Sequence, residues 1–432
     1  MKKNRTTRGN GMVTLPWDLL PDILAWLPVK SIARFRCVNK AWCKLLRNTE
    51  FLKRQYKHAV EMKRFSIMFH NQNDIYTFSY DPLLSTCEGS GHVEYPVKSV
   101  KMGIEFFGCC NGLVFLRHVN KFNSAVLILW NPSSNECKKL PDPPTKLKEH
   151  RGGFVEYGFG YDCQIEDFKV VRIAQGFKKG WCEVQVFSLR SNSWRRLEDI
   201  QVDKLSYDFN RPDMCRLPVN GALHWKALVG GDLGTDNILR FDFEKEEFDQ
   251  ISIPDEVNDD HERHLCVLGG SLWLLVNEYG CSLEFWELKD SEGKRSWNRC
   301  FSIDIDKFDS DKDLIPLQLL ENGKILFGVH SGSDLQFVLY DQKRETTRTL
   351  KVHEGLVTSS FPTSVYVESL ISLETGTYLG KVQWGKVEED VSEEKEGEEE
   401  EDKVEVEDEE DDGGTGAGVA GTSDDNDEEE SK

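Results

Sequence analysis

The chain lacks three features that would each point to a common class of protein. No stretch approaches the roughly 20 uninterrupted apolar residues of a transmembrane helix, so no membrane span is expected. Twelve cysteines are present without a C-x-x-C pair, which excludes zinc-ribbon and thioredoxin-like sites. The basic start precedes an apolar segment broken by Pro16, Asp18 and Pro21, so secretion is not expected. Scattered thiols without an export signal are typical of the reducing cytoplasm or nucleus, where we expect the protein.

The net charge of −21 belongs to one end of the chain. Residues 387–432 hold 24 acidic side chains and three lysines, whereas the preceding 386 residues carry as many basic as acidic groups. A balanced body offers no clustered basic footprint and an acidic end would repel phosphate, so nucleic-acid binding is not expected. Residues 387–432 contain no aromatic residue and little apolar surface, which predicts a disordered acidic tail. The tail could be a solubilising extension or a regulatory arm.

The N-terminal region shows helical periodicity. An apolar stripe at i, i+3, i+4 and i+7 is formed by Leu20, Ile23, Leu24 and Leu27. We expect Pro28 to end this helix, Ser31 to cap a second one, and a third short helix to follow around Trp42. Three short helices bury little apolar surface alone, so this unit must dock on its neighbour or keep its stripe for a partner.

The middle of the chain repeats a pattern of short strands. Six aromatic residues end a strand before a polar turn at spacings of 45 to 57 residues: Phe78, Trp130, Phe187, Phe241, Trp286 and Tyr340. Four of them follow a tight-turn signal 16 to 20 residues upstream, namely Asn111-Gly112, Asn220-Gly221, Gly269-Gly270 and Asn322-Gly323. Four-stranded units recurring about every 50 residues are typical of a kelch-like β-propeller.

We therefore expect an all-β propeller of about six blades. The alternating segment 361–373 would complete the first blade and close the ring, which hides the sheet edges. An irregular all-β sandwich with chance spacing is the alternative that the residues leave open.

Residues 15–46, LPWDLLPDILAWLPVKSIARFRCVNKAWCKLL, resemble the F-box, in particular its plant form. Five later motifs resemble the F-box-associated interaction domain, often described as kelch-like: CNGLV at 110–114, LWNPS at 129–133, GFGYD at 158–162, NGALHW at 220–225 and FPTSVYVESL at 361–370. The resemblance covers about residues 13–373. Pollen S-locus F-box proteins and the F-box proteins that limit plant immune receptors share this layout.

The resemblance implies a substrate receptor of a Skp–cullin–F-box ubiquitin ligase. The F-box would bind a Skp-type adaptor and, through it, cullin and RING subunits, while the β domain would hold an unidentified target protein for ubiquitination and degradation. The adaptor-binding positions that it implies are Leu15, Pro16, Leu20, Ile23, Leu24, Leu27, Pro28, Val29, Ser31, Arg34 and Val38. The residues leave open which apolar positions are core and which are interface.

The same resemblance suggests domain bounds and a charge preference. We expect a disordered basic leader at 1–11, an all-α F-box of three helices at 12–56, the propeller at 57–380 and the acidic tail at 381–432. Lys30, Arg34, Arg36 and Lys40 would make the F-box surface basic and suited to an acidic partner. Trp26 stands where the family commonly has Arg, and it would add contact area or cover the linker.

No catalytic, metal or cofactor site is predicted. His261 and His264 lie in a charged loop without H-E-x-x-H spacing, and the Gly-rich residues 230–234 lack a following Lys-Ser/Thr. Cys109 and Cys110 precede a tight turn and are interpreted as strand residues. The chain is therefore expected to supply proximity, with other subunits performing the chemistry.

Target recognition is predicted in three long turns, 141–153, 229–237 and 254–264, around Lys146, Asp232 and Asp259. The first is basic and the third acidic, and each could equally be an ordinary exposed loop. Two other functions stay open. One is an F-box scaffold that acts without ubiquitination. The other is a kelch-propeller enzyme of the type that includes galactose oxidase, which would need a cluster of Tyr, His and Cys around a metal.

Overall fold

The structure is a computed structural model of the 432-residue chain. Its described residues are 19–70, 75–81, 86–93, 103–119, 125–144, 153–176, 182–197, 205–206, 217–229, 235–258, 260–278, 280–291, 294–308, 313–320, 323–331, 334–350 and 364–373. All of them belong to one compact unit, 1–384. The predicted leader and acidic tail lie outside the described residues.

Four helices open the described chain: α1 (Leu20–Ala25), α2 (Val29–Phe35), α3 (Lys40–Leu45) and α4 (Thr49–Glu61). Pro21 lies in the first turn of α1, where its missing N–H removes no helical hydrogen bond. Pro28 is the N-cap of α2, and its carbonyl accepts the N–H groups of Ser31 and Ile32. The prediction that Ser31 caps α2 is therefore wrong, because the helix starts earlier and Ser31 lies inside its first turn.

Asparagine side chains start the next two helices. The Oδ1 atom of Asn39 accepts the Trp42 N–H at 2.9 Å, and that of Asn48 accepts the Phe51 N–H at 3.2 Å. The 13-residue α4 comes after the three helices expected from the sequence. Together the four helices, which we call the helical unit (residues 19–62), enclose a core of Leu20, Leu24, Ala25, Val29, Ile32, Leu46, Phe51 and Leu52, and this core includes the distant Leu370.

The strands form six antiparallel sheets in sequence order. The first sheet contains β1 (Ser66–His70), β2 (Ile75–Asp81) and β3 (Thr86–Val93). The second contains β4 (Ile104–Cys110), β5 (Leu113–Val119), β6 (Ala125–Asn131) and β7 (Glu136–Lys139). The third contains β8 (Gly153–Asp162), β9 (Asp167–Gly176), β10 (Cys182–Ser188) and β11 (Ser193–Leu197).

The remaining sheets follow the same order. The fourth contains β12 (Leu205–Ser206), β13 (Leu217–Val219), β14 (Ala222–Val229), β15 (Thr235–Asp242) and β16 (Glu247–Ser252). The fifth contains β17 (Glu262–Leu268), β18 (Ser271–Glu278), β19 (Ser282–Ser291) and β20 (Lys294–Asp304), followed by a 3-10 helix (Ile305–Phe308). The sixth contains β21 (Asp313–Leu319), β22 (Lys324–Ser331), β23 (Asp334–Asp341) and β24 (Thr346–Leu350).

The last strand closes the ring. Strand β25 (Ser364–Tyr366) pairs antiparallel with β1 and so becomes the first strand of the first sheet. The first strands of the six sheets contact one another in a closed circle, through the pairs β25–β4, β4–β8, β8–β13, β13–β17, β17–β21 and β21–β25. The predicted six-bladed propeller and the predicted role of the 361–373 segment in closing it are both confirmed.

The recurrent aromatics occupy equivalent positions. Each of the six lies on the third strand of its blade and is buried. They pack in the gaps between blades, as the edge-to-face contact of Phe78 in the first blade with Phe337 in the sixth shows, with ring centroids 5.5 Å apart. The spacing seen in the sequence is therefore the repeat of the blade core.

The tight turns join the first and second strands of their blades. Asn111 and Gly112 both have positive φ, as do Asn220 and Gly221, which is the backbone of the predicted two-residue hairpins. Because consecutive strands are antiparallel, these turns and the turns between third and fourth strands lie on one face, the short-turn face. Loops between second and third strands and the connections between blades lie on the opposite, long-loop face.

Candidate functional site

The helical unit contacts the short-turn face of the propeller. Lys53 of α4 pairs with Glu166 in the turn between β8 and β9. Tyr56, one turn further along α4, lies near Cys110 at the end of β4, and burial raises the pKa of both groups. Lys63 reaches the carbonyl of Leu319 at the end of β21. These contacts lie at the second, third and sixth blades, so α4 and the residues that follow it span the short-turn face.

Helix α4 also positions α1. Arg54 forms an ion pair with Asp22, and the ring of His58 lies 4.7 Å from that of Trp26. Arg64 donates to the Trp26 carbonyl at 2.6 Å, which satisfies a backbone acceptor at the C-terminal end of α1. Asp22 and Trp26 therefore fix α1 against α4.

The structure divides the sequence-predicted adaptor positions between core and surface. Leu20, Leu24 and Val29 are buried, with at most 6% of each side chain exposed. Ile23 and Val38 are 45% and 58% exposed. The half-buried positions are Leu27 and Ser31, and the exposed ones are Pro28 and Arg34. Leu15 and Pro16 lie outside the described residues. Adaptor contact by these residues stays a prediction.

Exposed apolar side chains concentrate on the helical unit. Among the described residues seven large hydrophobic side chains are exposed, and six of them lie between residues 19 and 62: Leu19, Ile23, Trp26, Val38, Val60 and Met62. Leu19, Ile23 and Trp26 follow the i, i+4, i+7 spacing of one helix face, so they form a stripe on α1 opposite its buried leucines. An exposed apolar stripe of this kind is typical of a protein-binding surface.

The sequence interpretation missed part of this surface. Leu19 was detectable, because it continues the Ile23 and Trp26 spacing back by one turn. Val60 and Met62 lie at the end of α4, beyond the predicted F-box boundary, and no pattern in the N-terminal stretch points to them.

The rest of the helical unit is basic. Residues 23–48 contain six cationic side chains and no acidic one. Lys30, Arg34 and Lys40 are exposed, whereas Arg36 is half-buried and donates to the Leu46 carbonyl at 3.0 Å. Arg36 therefore connects α2 to the end of α3, and the other three cations supply the surface charge that was predicted for an acidic partner.

The three predicted recognition turns begin and end at one face of the propeller. They connect β7 to β8, β14 to β15 and β16 to β17, and by the strand order all three connections belong to the long-loop face. Lys146, Asp232 and Asp259 themselves lie outside the described residues. In the third turn the described Asp255, Glu256 and Asp260 are exposed, so that stretch is acidic. Binding at these turns stays a prediction.

No group of three or more His, Cys, Asp or Glu suited to a metal ion occurs among the residues that the structure describes. Cys109 Sγ donates to the Val365 carbonyl at 3.3 Å, and burial holds the pKa of the Cys110 thiol well above its ordinary value. Neither thiol is placed as an activated nucleophile. No helix in the described part of the chain is long and apolar enough to cross a membrane.

An apolar and basic helical surface on one face of a six-bladed propeller defines a two-part binding protein. Residues 13–54 match the family described as the F-box domain, and residues 64–372 match the F-box associated beta propeller domain. The chain belongs to the F-box proteins with an F-box-associated propeller.

Two plant F-box proteins are similar to this chain over most of its length. The F-box protein CPR1 of Arabidopsis thaliana is 28% identical over 384 residues, covering 83% of this chain and 89% of that protein. The F-box/kelch-repeat protein At3g23880 of Arabidopsis thaliana is 28% identical over 305 residues, covering 67% of this chain and 79% of that protein. F-box and propeller together support the general role of a ubiquitin-ligase substrate receptor that binds a Skp-type adaptor, an architecture typical of non-catalytic proteins.

Proposed function

We propose that this chain is the substrate-recognition subunit of a Skp–cullin–F-box ubiquitin ligase. In this role it binds a Skp-type adaptor through the helical unit and a target protein through the long-loop face. The adaptor connects it to cullin and RING subunits, and the outcome is ubiquitination and degradation of the target. We place this activity in the cytoplasm or nucleus, where cysteines scattered along the chain would stay reduced.

The observation that carries the proposal is the segregation of exposed apolar surface. Six of the seven exposed large hydrophobic side chains among the described residues lie on the helical unit, and the seventh, Ile165, lies in a blade turn. A solvent-exposed apolar stripe costs solubility unless a partner covers it. The flanking cations Lys30, Arg34 and Lys40 favour an acidic partner and speed its association.

The arrangement of faces supports simultaneous binding. The helical unit contacts the short-turn face, so the long-loop face on the other side of the ring is available to a second protein. A receptor that holds both partners at fixed positions raises the effective concentration of the target lysines at the transfer site. Adaptor and target therefore need not compete for one surface.

The target can be trapped by uncoupling the receptor from its adaptor. The double variant Ile23→Asp/Val38→Asp is suited to this purpose, because both side chains are exposed. Leu20 and Leu24 are not suitable, because they are core residues whose replacement by Asp would unfold the helical unit. In plant cells the variant should retain a target at higher abundance than the wild type, which should turn the target over. Ile165→Asp, equally exposed on the propeller, is the control. Equal enrichment by the wild type and the double variant would contradict the proposed turnover.

A further inference from the structure

The chain that follows β25 lies between the helical unit and the second blade. We call residues 367–373 the C-terminal strap. Leu370 is 2% exposed and belongs to the core of the helical unit, together with Leu24 and Ile32. Ile371 and Leu373 instead pack against the core shared by the second and third blades. The strap therefore contributes to two hydrophobic cores at once.

Polar contacts hold the strap to the second blade. The Nδ2 atom of Asn131, at the end of β6, donates to the carbonyls of Ser369 at 3.1 Å and Ile371 at 2.8 Å. Ser369 Oγ donates to the Asn111 carbonyl in the first tight turn of that blade at 3.0 Å, and Ser372 Oγ donates to the Glu136 carboxylate at 3.0 Å. Four hydrogen bonds over four residues fix where Leu370 is presented.

The other side of the strap faces α2. Burial raises the pKa of the Glu368 carboxyl, and the nearby Lys30 opposes that shift. Gly112 lies close against the strap: a Cβ atom at this position would lie 2.2 Å from Ser369 Oγ. Helical unit, strap and second blade are thus in direct contact, with no spare volume at this glycine.

We propose that Leu370, presented by the C-terminal strap, is a working part of the adaptor-binding unit. The helical unit reaches its adaptor-competent packing only after β25 has closed the ring and placed Leu370 in the helical core. Leu370 is thus a positioning residue, which acts on the adaptor surface through the buried Leu24 and Ile32. This inference rests on the proposed adaptor binding and adds a condition to it.

The physical argument is the size of the helical core. Its helices supply eight buried side chains, and Leu370 is the ninth. Small helical units bury too little apolar surface to be stable alone, so the loss of one leucine shifts a large fraction of molecules to loosely packed states. The apparent dissociation constant rises as the inverse of the competent fraction. A chain whose ring is incomplete would thus offer the ligase no adaptor surface, which couples ligase assembly to completion of the target-binding domain.

Two matched variants in the full-length chain test the inference. Leu370→Ala and Leu373→Ala remove the same three carbons from side chains that are 2% and 3% exposed and lie three residues apart. Binding of the purified Skp-type adaptor is measured by calorimetry, and amide hydrogen exchange is followed separately in residues 19–62 and in the blades. We expect Leu370→Ala to raise the adaptor Kd at least about tenfold and to accelerate exchange in the helices, with blade exchange unchanged.

In the control variant, amide exchange should accelerate in the blades and not in the helices. Leu373→Ala should accelerate exchange in the second and third blades and leave both helix exchange and the adaptor Kd within about twofold of the wild type. Equal Kd values and equal helix exchange for Leu370→Ala and the wild type would overturn the inference. If the wild type binds no adaptor, the proposed function fails, and the helix exchange of Leu370→Ala still decides whether the strap completes the helical core.

Discussion

Asn131 and Ser369 lie 238 positions apart in the chain, yet Asn131 Nδ2 donates to the Ser369 carbonyl at 3.1 Å. The same side chain orders its own hairpin, because its Oδ1 accepts the Ser133 N–H at 2.9 Å. One buried asparagine thus connects a blade turn to the C-terminal strap, and through Leu370 to the helical unit. The motif LWNPS contains this asparagine, and the motif FPTSVYVESL contains Ser369.

Removing that side chain should destabilise the protein. Asn131→Ala leaves the carbonyls of the buried Ser369 and the half-buried Ile371 without this donor, which should cost about 2–4 kcal/mol. Chemical denaturation measures the change in the free energy of unfolding. Asn298→Ala, on the exposed surface of β20, is the control and should stay within about 0.5 kcal/mol of the wild type. Equal losses for the two variants would show that the Asn131 contacts contribute nothing.

Alanine substitutions at two equivalent glycines should distinguish the cost of backbone strain from the cost of a steric clash. Gly112 and Gly221 have φ values of +80° and +72° in equivalent tight turns, but a Cβ atom meets nothing within 4 Å at Gly221. Gly221→Ala should therefore cost only the strain of a left-handed alanine, about 1 kcal/mol. Gly112→Ala adds the conflict with Ser369 and should lower the thermal midpoint clearly further. Ser369→Gly should reduce this difference without abolishing it, because the Val367 carbonyl oxygen also lies 2.9 Å from the Cβ position. A cost at Gly112 no larger than at Gly221 would argue against close packing of the strap.

A buried lysine should contribute far more to stability than a half-buried one with a similar ion pair. Lys169 Nζ lies 2.7 Å from Asp162, 2.8 Å from Glu246 and 2.7 Å from the Phe243 carbonyl, and it joins the third blade to the fourth. Lys169→Ala leaves a buried carboxylate without its ammonium partner and should lower the free energy of unfolding, measured with urea, by about 3–5 kcal/mol. Lys307→Ala breaks an exposed 2.6 Å pair with Glu345 and should have little effect. Comparable losses for both would refute the assigned role of Lys169.

Acid should destabilise the propeller through a buried histidine. Burial lowers the pKa of His224 from 6.5 to about 4, and its Nδ1–H donates to the Leu217 carbonyl at 3.2 Å. The folded chain therefore stays unprotonated at this site while the unfolded chain binds a proton below about pH 6.5. Stability should fall as the pH falls from about 6.5 to about 4, by about 3 kcal/mol for this group.

A variant at position 224 measures the contribution of His224 to the pH dependence of stability. His224→Gln removes the titrating group and should flatten the stability profile over this window. A smaller slope should remain from His118, whose pKa burial also lowers. Denaturation curves at several pH values measure both profiles. An unchanged slope in the variant would contradict the assignment to His224.

Much of the propeller could be predicted because its signals are local. The Asn-Gly pairs that contain Gly112 and Gly221 each predict a two-residue hairpin. Large aromatic residues such as Trp130 and Phe241 recur because each blade needs one large side chain that packs against the neighbouring blade. Closure by the last strand follows from the need to hide sheet edges. These features depend on a few neighbouring residues and on repetition.

The helical unit was harder to predict because its core is not local. The amphipathic pattern of α1 identifies a stripe but not its orientation, since the contacts that bury Leu24 and leave Ile23 exposed come from the other helices and from the distant Leu370. The cap of α2 was misplaced because Pro28 can start a helix as well as end one. The turns predicted to bind a target could be placed on one face, but single-sequence reasoning offers no chemistry that selects among them.

The central claim is that the exposed stripe of α1 binds a Skp-type adaptor, and direct calorimetry of purified components tests it. Ile23→Asp and Ile165→Asp place the same charge at side chains that are both 45% exposed, one on the stripe and one on the propeller. We predict that the wild type and Ile165→Asp bind the adaptor with equal affinity and that Ile23→Asp weakens binding at least about 30-fold, the effect of an unpaired charge in an apolar interface. Equal affinity of all three proteins, or no binding by the wild type, would contradict the account.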